Sequence, residues 1–207
     1  MQPARQAFTR ESADARRADL IEATAACLAE PGLAGTNVRA ICAKAGVSPV
    51  LLRHYFGGID DLIAATYQAT SDRMDAIFIG AVEAAGHDPR ERLKAYLTAS
   101  FRPPVTDPEL LGAWTAFWAL SRNDARMADI HAKSYAGYRA RLTELLRACD
   151  AREPERLAIM LTAMVDGLWL ELSLDAASFG AEAAARMVEK AVGALLPEPP
   201  SPSSNSA

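Results

Sequence analysis

The chain has few of the residues that metal sites and redox sites require. Among 207 residues there are three cysteines and three histidines. Cys27, Cys42 and Cys149 form no Cys-x-x-Cys pair and lie within apolar helical patterns, which indicates small core side chains in a reducing compartment. The histidines share no metal-ligand spacing. The sequence therefore predicts neither a metal ion nor a cofactor.

Catalytic motifs and long apolar runs are also missing. No nucleophile and base are paired, and Gly57-Gly58 lacks the lysine and flanking pattern of a phosphate-binding loop. No stretch of about 18 residues is both apolar and free of charge. The N-terminus has no signal-peptide pattern. We therefore expect a cytoplasmic protein that is not an enzyme and does not bind membranes.

The charge of the chain limits its partners. The formal net charge is -4, which is unlike that of a protein that coats DNA. The first 58 residues contain seven Lys or Arg and five Asp or Glu, so they carry +2 and the remainder carries -6. This modest asymmetry is consistent with a nucleic-acid contact near the N-terminus, although a solvated surface would produce it too. Half of the residues are apolar, enough for a substantial core in one or two domains.

The most informative segment is Thr36–Asp61, TNVRAICAKAGVSPVLLRHYFGGIDD. Asn37 can cap a helix with one apolar stripe, and Gly46 follows where the chain must turn. Ser48 and Pro49 are suited to the cap and first position of a second helix. The residues of the apolar stripe recur at i, i+3, i+4 and i+7: Val38, Ile41, Cys42 and Ala45.

The second helix of this segment has an inner and an outer face. Leu52 and Phe56 are four residues apart and can pack on the preceding helix. The other side chains then point away from that helix. A helix of this kind enters the major groove in helix-turn-helix proteins, with its N-terminal residues nearest the bases. An ordinary helical hairpin is the alternative interpretation.

Helical patterns fill the rest of the chain. Proline follows an acidic or hydroxyl residue at Ser48-Pro49, Asp88-Pro89, Asp107-Pro108 and Glu153-Pro154, which is typical of helix starts. We predict an all-α fold, with disorder in residues 1–11 and 197–207. The nine predicted helices cover residues 12–30, 38–45, 49–55, 59–85, 89–101, 107–121, 124–149, 154–175 and 179–196.

Aromatic residues on three of these helices suggest a ligand site, although such residues more often form core. Aromatic faces can hold an organic cation. Asp166 lies one turn before Trp169 in an apolar run, so its carboxylate needs a partner. That partner could be a bound cation, a group in the same subunit or a residue across a dimer interface, and we favour a structural partner.

The string AGVSPVLLRHYFGGIDDLIAA resembles the DNA-binding domain of the TetR family of bacterial repressors. The resemblance implies a TetR-like fold, with a helix-turn-helix domain over residues 12–58 and a ligand-binding and dimerisation domain over residues 59–196. Matched positions and the outward-facing Pro49 together give eight candidate DNA contacts: Asn37, Arg39, Ser48, Pro49, Val50, Arg53, His54 and Tyr55.

The strings AWTAFWALSRNDARMADIHAKSYAGYRARLTELL and AMVDGLWLELSL are similar to the BetI-type branch, whose repressors respond to choline. This similarity implies a homodimer through helices 154–175 and 179–196. It also implies a palindromic double-stranded operator and release by a small molecule, such as a quaternary ammonium compound. The candidate ligand residues are Trp114, Phe117, Trp118, Tyr135, Tyr138, Asp166 and Trp169.

Three positions depart from the family pattern. Ile59 stands where a lysine is often found, and Arg39 and Arg53 stand where small or small polar residues are usual. The missing cation should weaken nonspecific affinity for DNA. These departures keep two alternatives open. One is a regulator of an efflux or catabolic operon with a different hydrophobic inducer, and the other is a helical scaffold that has lost DNA binding.

Overall fold

The computed structural model describes residues 4–30, 32–175 and 179–196, which form ten α-helices, a short 3-10 turn at Ala99–Phe101 and no strand. The all-α prediction is thereby confirmed. The helices are α1 (Ala4–Ala29), α2 (Gly32–Gly35), α3 (Val38–Ala45), α4 (Pro49–Phe56), α5 (Ile59–Ala84), α6 (Pro89–Thr98), α7 (Pro108–Ser121), α8 (Ala125–Ala148), α9 (Pro154–Leu174) and α10 (Ala181–Leu195).

The predicted helix bounds need two corrections. Helix α1 begins at Ala4, so residues 4–11, for which disorder was predicted, are helical. No glycine or proline interrupts the chain from Ala4 to Ala29, and the helix therefore continues. Helix α2 is a single turn that the apolar pattern did not indicate. The tail at 197–207 lies outside the described residues.

Four helices begin at the prolines that the sequence indicated: Pro49, Pro89, Pro108 and Pro154. At α6 the Asp88 carboxylate accepts hydrogen bonds from the backbone N–H groups of Arg90 at 2.7 Å and Glu91 at 3.1 Å. A proline at the first helical position removes an N–H group that would have no partner there. Local sequence therefore determines where these helices start.

The chain packs as two compact units. The first comprises the described residues up to Ile77 together with Pro103–Ala136, and the second comprises Phe78–Arg102 and the described residues from Gly137 onward. This grouping differs from the division predicted after Gly58, because α7 packs on α1. A Cβ atom on Gly112 of α7 would lie 2.8 Å from the backbone of Ala29, so glycine permits this approach.

Each unit has its own core. In the second unit Ala184, Val188 and Val192 of α10 are at most 1% exposed. All three cysteines are free and buried, which confirms the core role that the sequence predicted for them. The N-terminal part of the first unit is built around one apolar cluster from four helices: Leu20, Ala23, Cys27, Ile41, Cys42, Leu52, Phe56 and Leu62.

Candidate nucleic-acid interface and aromatic clusters

Helices α3 and α4 form a helix-turn-helix unit whose ends are capped as predicted. The Asn37 side chain accepts a hydrogen bond from the backbone N–H of Ala40 at 3.0 Å. Gly46 has φ 65° and ψ 31°, the left-handed conformation that ends α3. The Ser48 hydroxyl accepts from the backbone N–H of Leu51 at 3.2 Å, directly before α4 begins. The predicted turn is therefore confirmed.

Helix α4 has one buried face and one exposed face. Leu52 is fully buried and Phe56 is 7% exposed, and both belong to the core cluster that α1 and α3 share. Val50 on the other face is 77% exposed. Seven of the eight candidate DNA contacts are exposed: Asn37, Arg39, Ser48, Pro49, Val50, Arg53 and His54.

Tyr55 differs from the other seven candidates because it is half-buried and packs against the core cluster. Its ring meets the His54 ring edge-on, with 5.3 Å between centroids. Its carbonyl oxygen accepts a hydrogen bond from Nη1 of Arg17 at 2.6 Å. The Arg17 guanidinium also lies over the Phe56 ring, 4.4 Å from its centroid. No local spacing indicated Arg17, because it lies 38 residues before Tyr55.

The first unit contains a cluster that we call the first aromatic cluster: Tyr67, Trp114, Phe117, Trp118, His131 and Tyr135. The fully buried Tyr67 ring stacks on Phe117, with centroids 4.3 Å apart and planes 3° apart. Tyr67 also meets the edge of Trp114 at 5.6 Å. Four predicted ligand residues therefore lie in this cluster, together with Tyr67 and His131, which no local sequence pattern indicated.

Polar atoms within the first aromatic cluster bond to one another. The Tyr67 hydroxyl and Nδ1 of His131 are joined by a hydrogen bond of 2.9 Å. Nε1 of Trp118 donates to the Tyr135 hydroxyl at 3.1 Å. The His131 and Tyr135 rings lie 4.2 Å apart. These contacts join α5, α7 and α8 within the first unit.

The second unit contains the second aromatic cluster, which consists of Phe78, Tyr96 and Tyr138. Tyr96 and Tyr138 are stacked with centroids 4.9 Å apart, and Phe78 meets their edges at 5.6 Å and 5.5 Å. The Tyr96 hydroxyl donates to the backbone carbonyl of Tyr138 at 3.1 Å. No local spacing indicated Tyr96 or Phe78, which lie 42 and 60 residues before Tyr138 in the sequence.

The charge of one carboxylate, Asp166, changes the pKa of a tyrosine in the second aromatic cluster. Burial raises the pKa of the Tyr138 phenol well above its usual range, and the negative charge of Asp166 raises this pKa further. Asp166 is half-buried, and Trp169 on the same helix is 4% exposed. The predicted ligand residues Tyr138, Asp166 and Trp169 therefore all belong to the second unit.

Helix α9 carries exposed apolar residues at helical spacing. Met160 is 50% exposed, Leu170 is 39% exposed and Leu174 is 74% exposed. By length and composition alone, α9 is the one helix in the described ranges that could cross a membrane, and part of it is buried inside the second unit. We call its exposed face the α9 stripe, whose members are Met160, Ala163, Gly167, Leu170 and Leu174.

The helix-turn-helix unit and the C-terminal helices both match known families. Residues 20–66 match bacterial regulatory proteins of the tetR family, and residues 89–197 match the C-terminal domain of BetI-type transcriptional repressors. The chain belongs to the TetR family. Its C-terminal match assigns this TetR-family protein to the BetI-type branch.

Three known proteins show how far the similarity of this TetR-family chain extends. The HTH-type transcriptional regulator BetI of Rhizobium meliloti (strain 1021) is 33% identical over 182 residues, which cover 87% of this chain and 89% of that protein. A transcriptional regulator from Pseudomonas aeruginosa PAO1 is 40% identical with a TM-score of 0.79, covering 88% of this chain and 90% of the other.

The third protein is a solved structure with a similar fold. It is a transcriptional regulator from Saccharomonospora viridis, solved in complex with choline, with a TM-score of 0.80 and 16% identity. The alignment covers 88% of this chain and 98% of that chain, and it shows a shared fold. Together with the family matches, the exposed face of α4 makes this TetR-family protein a DNA-binding transcriptional regulator.

Proposed function

We propose that this regulator is a homodimeric repressor that binds a palindromic operator through α4 and is released by an organic cation held beside Asp166. The proposed ligand site is carried by one observation. The negative charge of Asp166 raises the pKa of Tyr138, whose ring stacks on Tyr96. A carboxylate beside aromatic faces is a combination that attracts an organic cation.

Operator recognition is assigned to the exposed face of α4. Ser48 and Val50 at its N-terminal end would lie nearest the base edges, and Arg53 and His54 can donate to phosphates or bases. The buried Leu52 and the N-terminal cap hold this face outward. In a twofold dimer the two copies of α4 must stand about 34 to 36 Å apart to enter successive major grooves.

Dimerisation is assigned to α9 and α10. The α9 stripe presents large apolar side chains beside the exposed Ala163 and Gly167, which lack bulk and would allow close approach of another helix. Met187 on α10 is 47% exposed. Large exposed apolar patches usually mark interaction sites, and two helices from each subunit can form a four-helix interface.

The cation is assigned to the second aromatic cluster because the negative charge of Asp166 acts on Tyr138, a member of that cluster. The S. viridis regulator, which shares the fold, was solved with choline, and this supports an organic cation for the present chain. Phe78 of this cluster lies on α5, and α5 begins at Ile59, just after α4. A cation that displaces α5 would therefore change the position of α4.

The free energy required for release is modest. A coupling of about 1 to 3 kcal/mol between two sites changes affinity by about 5- to 150-fold. Such coupling needs a structural element whose equilibrium both ligands bias. In this proposal the element is α5, because it carries a residue of the cation site at one end and adjoins α4 at the other.

The DNA part is tested by an electrophoretic shift assay with the chain's own upstream region and a random duplex at moderate salt. The variant Arg53→Ala/His54→Ala should lose its preference for the upstream region. A matched control is Arg73→Ala/His87→Ala, which removes the same two residue types at exposed positions outside α4. Equal binding of both duplexes by the wild-type protein would contradict the operator assignment.

The ligand part is tested by tryptophan fluorescence, thermal shift and operator release. Choline, betaine aldehyde, glycine betaine and bulkier quaternary ammonium ions are compared with an uncharged analogue in which carbon replaces the choline nitrogen. We expect release by cations and none by the uncharged analogue. Release by uncharged hydrophobic compounds alone would instead support the regulator of an efflux or catabolic operon.

A further inference from the structure

We propose that Arg17 is a positioning residue for operator recognition. It holds the C-terminal end of α4 against α1, and it does not contact DNA itself. The inference rests on α4 as the reading helix and concerns a residue outside the eight candidate contacts. Two independent contacts support it, the hydrogen bond to Tyr55 and the stacking over Phe56.

The hydrogen bond from Arg17 supplies a partner for a backbone carbonyl at the C-terminal end of α4. The last carbonyl groups of a helix have no partner within the helix. In α4 the carbonyl of Arg53 accepts from the backbone N–H of Gly57 at 2.9 Å, whereas the carbonyl of Tyr55 accepts from Nη1 of Arg17 at 2.6 Å. Arg17 also places a positive charge at the negative end of the helix dipole, which favours this docking.

The stacking contact holds the same end of α4 through a second residue, Phe56. Phe56 is buried in the core cluster, and the Arg17 guanidinium lies 4.4 Å from its ring centroid. A planar guanidinium can stack on a ring and donate a hydrogen bond at the same time. An ammonium group lacks this planar geometry. The structure therefore favours arginine over lysine at this position.

Helix α4 needs such a restraint because it has only eight residues. A helix this short is not stable on its own, so contacts with its neighbours set its orientation. The capped turn at Ser48 holds its N-terminal end, and Arg17 holds its C-terminal end. A binding surface loses affinity when its supporting contacts allow shifts of about 1 Å.

The test compares Arg17→Gln, Arg17→Lys and Arg16→Gln in the full chain. Arg16 is the matched control, because it is the preceding arginine of α1 and its guanidinium pairs with Asp19 at 3.3 Å. For each variant, Kd is measured for the upstream region and for a random duplex over a range of salt concentrations. Circular dichroism and thermal melting report folding. A stoichiometric titration with DNA gives the fraction of protein that can bind, and each Kd is corrected for that fraction.

Arg17→Gln should weaken binding to the upstream region at least tenfold and leave the random-duplex Kd and the salt dependence unchanged. Arg17→Lys should recover part of the loss, and Arg16→Gln should bind like the wild-type protein. A direct phosphate contact would instead lower the salt slope by about one and weaken both duplexes equally, which overturns the proposal.

Two further results would also overturn it. One is an unchanged corrected Kd in Arg17→Gln, even with a lower melting temperature, because Arg17 would then serve stability alone. The other concerns the case in which Arg17→Gln does not fold, when the same measurements are made on Arg17→Lys. Wild-type affinity in Arg17→Lys would then contradict the planar contact. Failure of the wild-type protein to prefer its upstream region would count against the operator assignment and not against Arg17.

Discussion

The two aromatic clusters contain similar residues, but different groups interact with their polar atoms. In the first, Tyr67 bonds to His131 and Trp118 bonds to Tyr135, so the cluster supplies its own partners. In the second, the charge of Asp166 acts on a buried phenol. Aromatic residues at helical spacing can therefore serve as core in one unit and as a candidate cation site in the other. The charge of Asp166 on Tyr138 is the observation that assigns the cation to the second cluster.

The substitution with the largest expected effect on ligand binding distinguishes the two clusters directly. Asp166→Asn removes the negative charge from the second cluster and keeps the size of the side chain. We expect choline or the best-binding cation to lose at least tenfold in affinity, about 1.4 kcal/mol, as measured by calorimetry. Glu171→Gln, an exposed change on the same helix, is the control. Unchanged affinity in Asp166→Asn would remove the distinction between the clusters.

The next effect concerns α7, the helix that carries half of the first cluster. Gly112→Ala would place a methyl group 2.8 Å from the backbone of Ala29, which cannot move as a flexible side chain can. We expect a loss of about 1 to 3 kcal/mol in the free energy of unfolding, measured in urea. Gly137→Ala on α8 meets nothing within 4 Å and should be neutral or stabilising by up to about 1 kcal/mol. Equal stability of the two variants would contradict this contact.

A smaller effect should come from the polar link inside the first cluster. Tyr67→Phe removes the hydroxyl that bonds to His131, which should cost about 0.5 to 1.5 kcal/mol of stability in chemical unfolding. Cation affinity, measured in the same preparation, should not change. A clear fall in cation affinity would move the ligand site to the first unit and reverse the comparison.

The smallest effect appears only at alkaline pH. Because the pKa of Tyr138 is raised in the folded protein, the folded state keeps this proton after the unfolded state has lost it. The contribution is fully present below about pH 10, the ordinary tyrosine value, and is lost as the pH rises above it. In urea titrations, the free energy of unfolding of Tyr138→Phe should therefore fall less than that of the wild-type protein between about pH 9 and about pH 11. Parallel curves would contradict the buried environment of this phenol.

The helix-turn-helix unit could be predicted because its signals are local. Asn37, Gly46 and Ser48 each act on backbone groups within five residues, so short-range chemistry determines the caps and the turn. The buried face of α4 follows from the spacing of Leu52 and Phe56. The exposed positions on that helix follow from the same spacing. The early start of α1 was missed because its first turns have no clear apolar stripe.

The ligand residues were predicted as one set, and the structure divides them between two units. Their neighbours are distant in sequence: Tyr67 lies 64 residues before its partner His131, and Tyr96 lies 42 residues before Tyr138. Helical periodicity shows which side of a helix is apolar, but it does not show which other helix covers that side. Tyr67, Phe78 and Tyr96 were overlooked for that reason.

Short-range patterns in the amino-acid sequence were sufficient to establish the helical class, the helix starts and the outward face of α4, since caps, turns and periodicity act within a few residues. Packing of distant helices brought Asp166 to Tyr138, Arg17 to Tyr55 and Gly112 to Ala29. Each of these pairs joins residues that are at least 28 positions apart in the sequence. Such pairs have no spacing signal, because only the geometry of the folded chain brings them near each other.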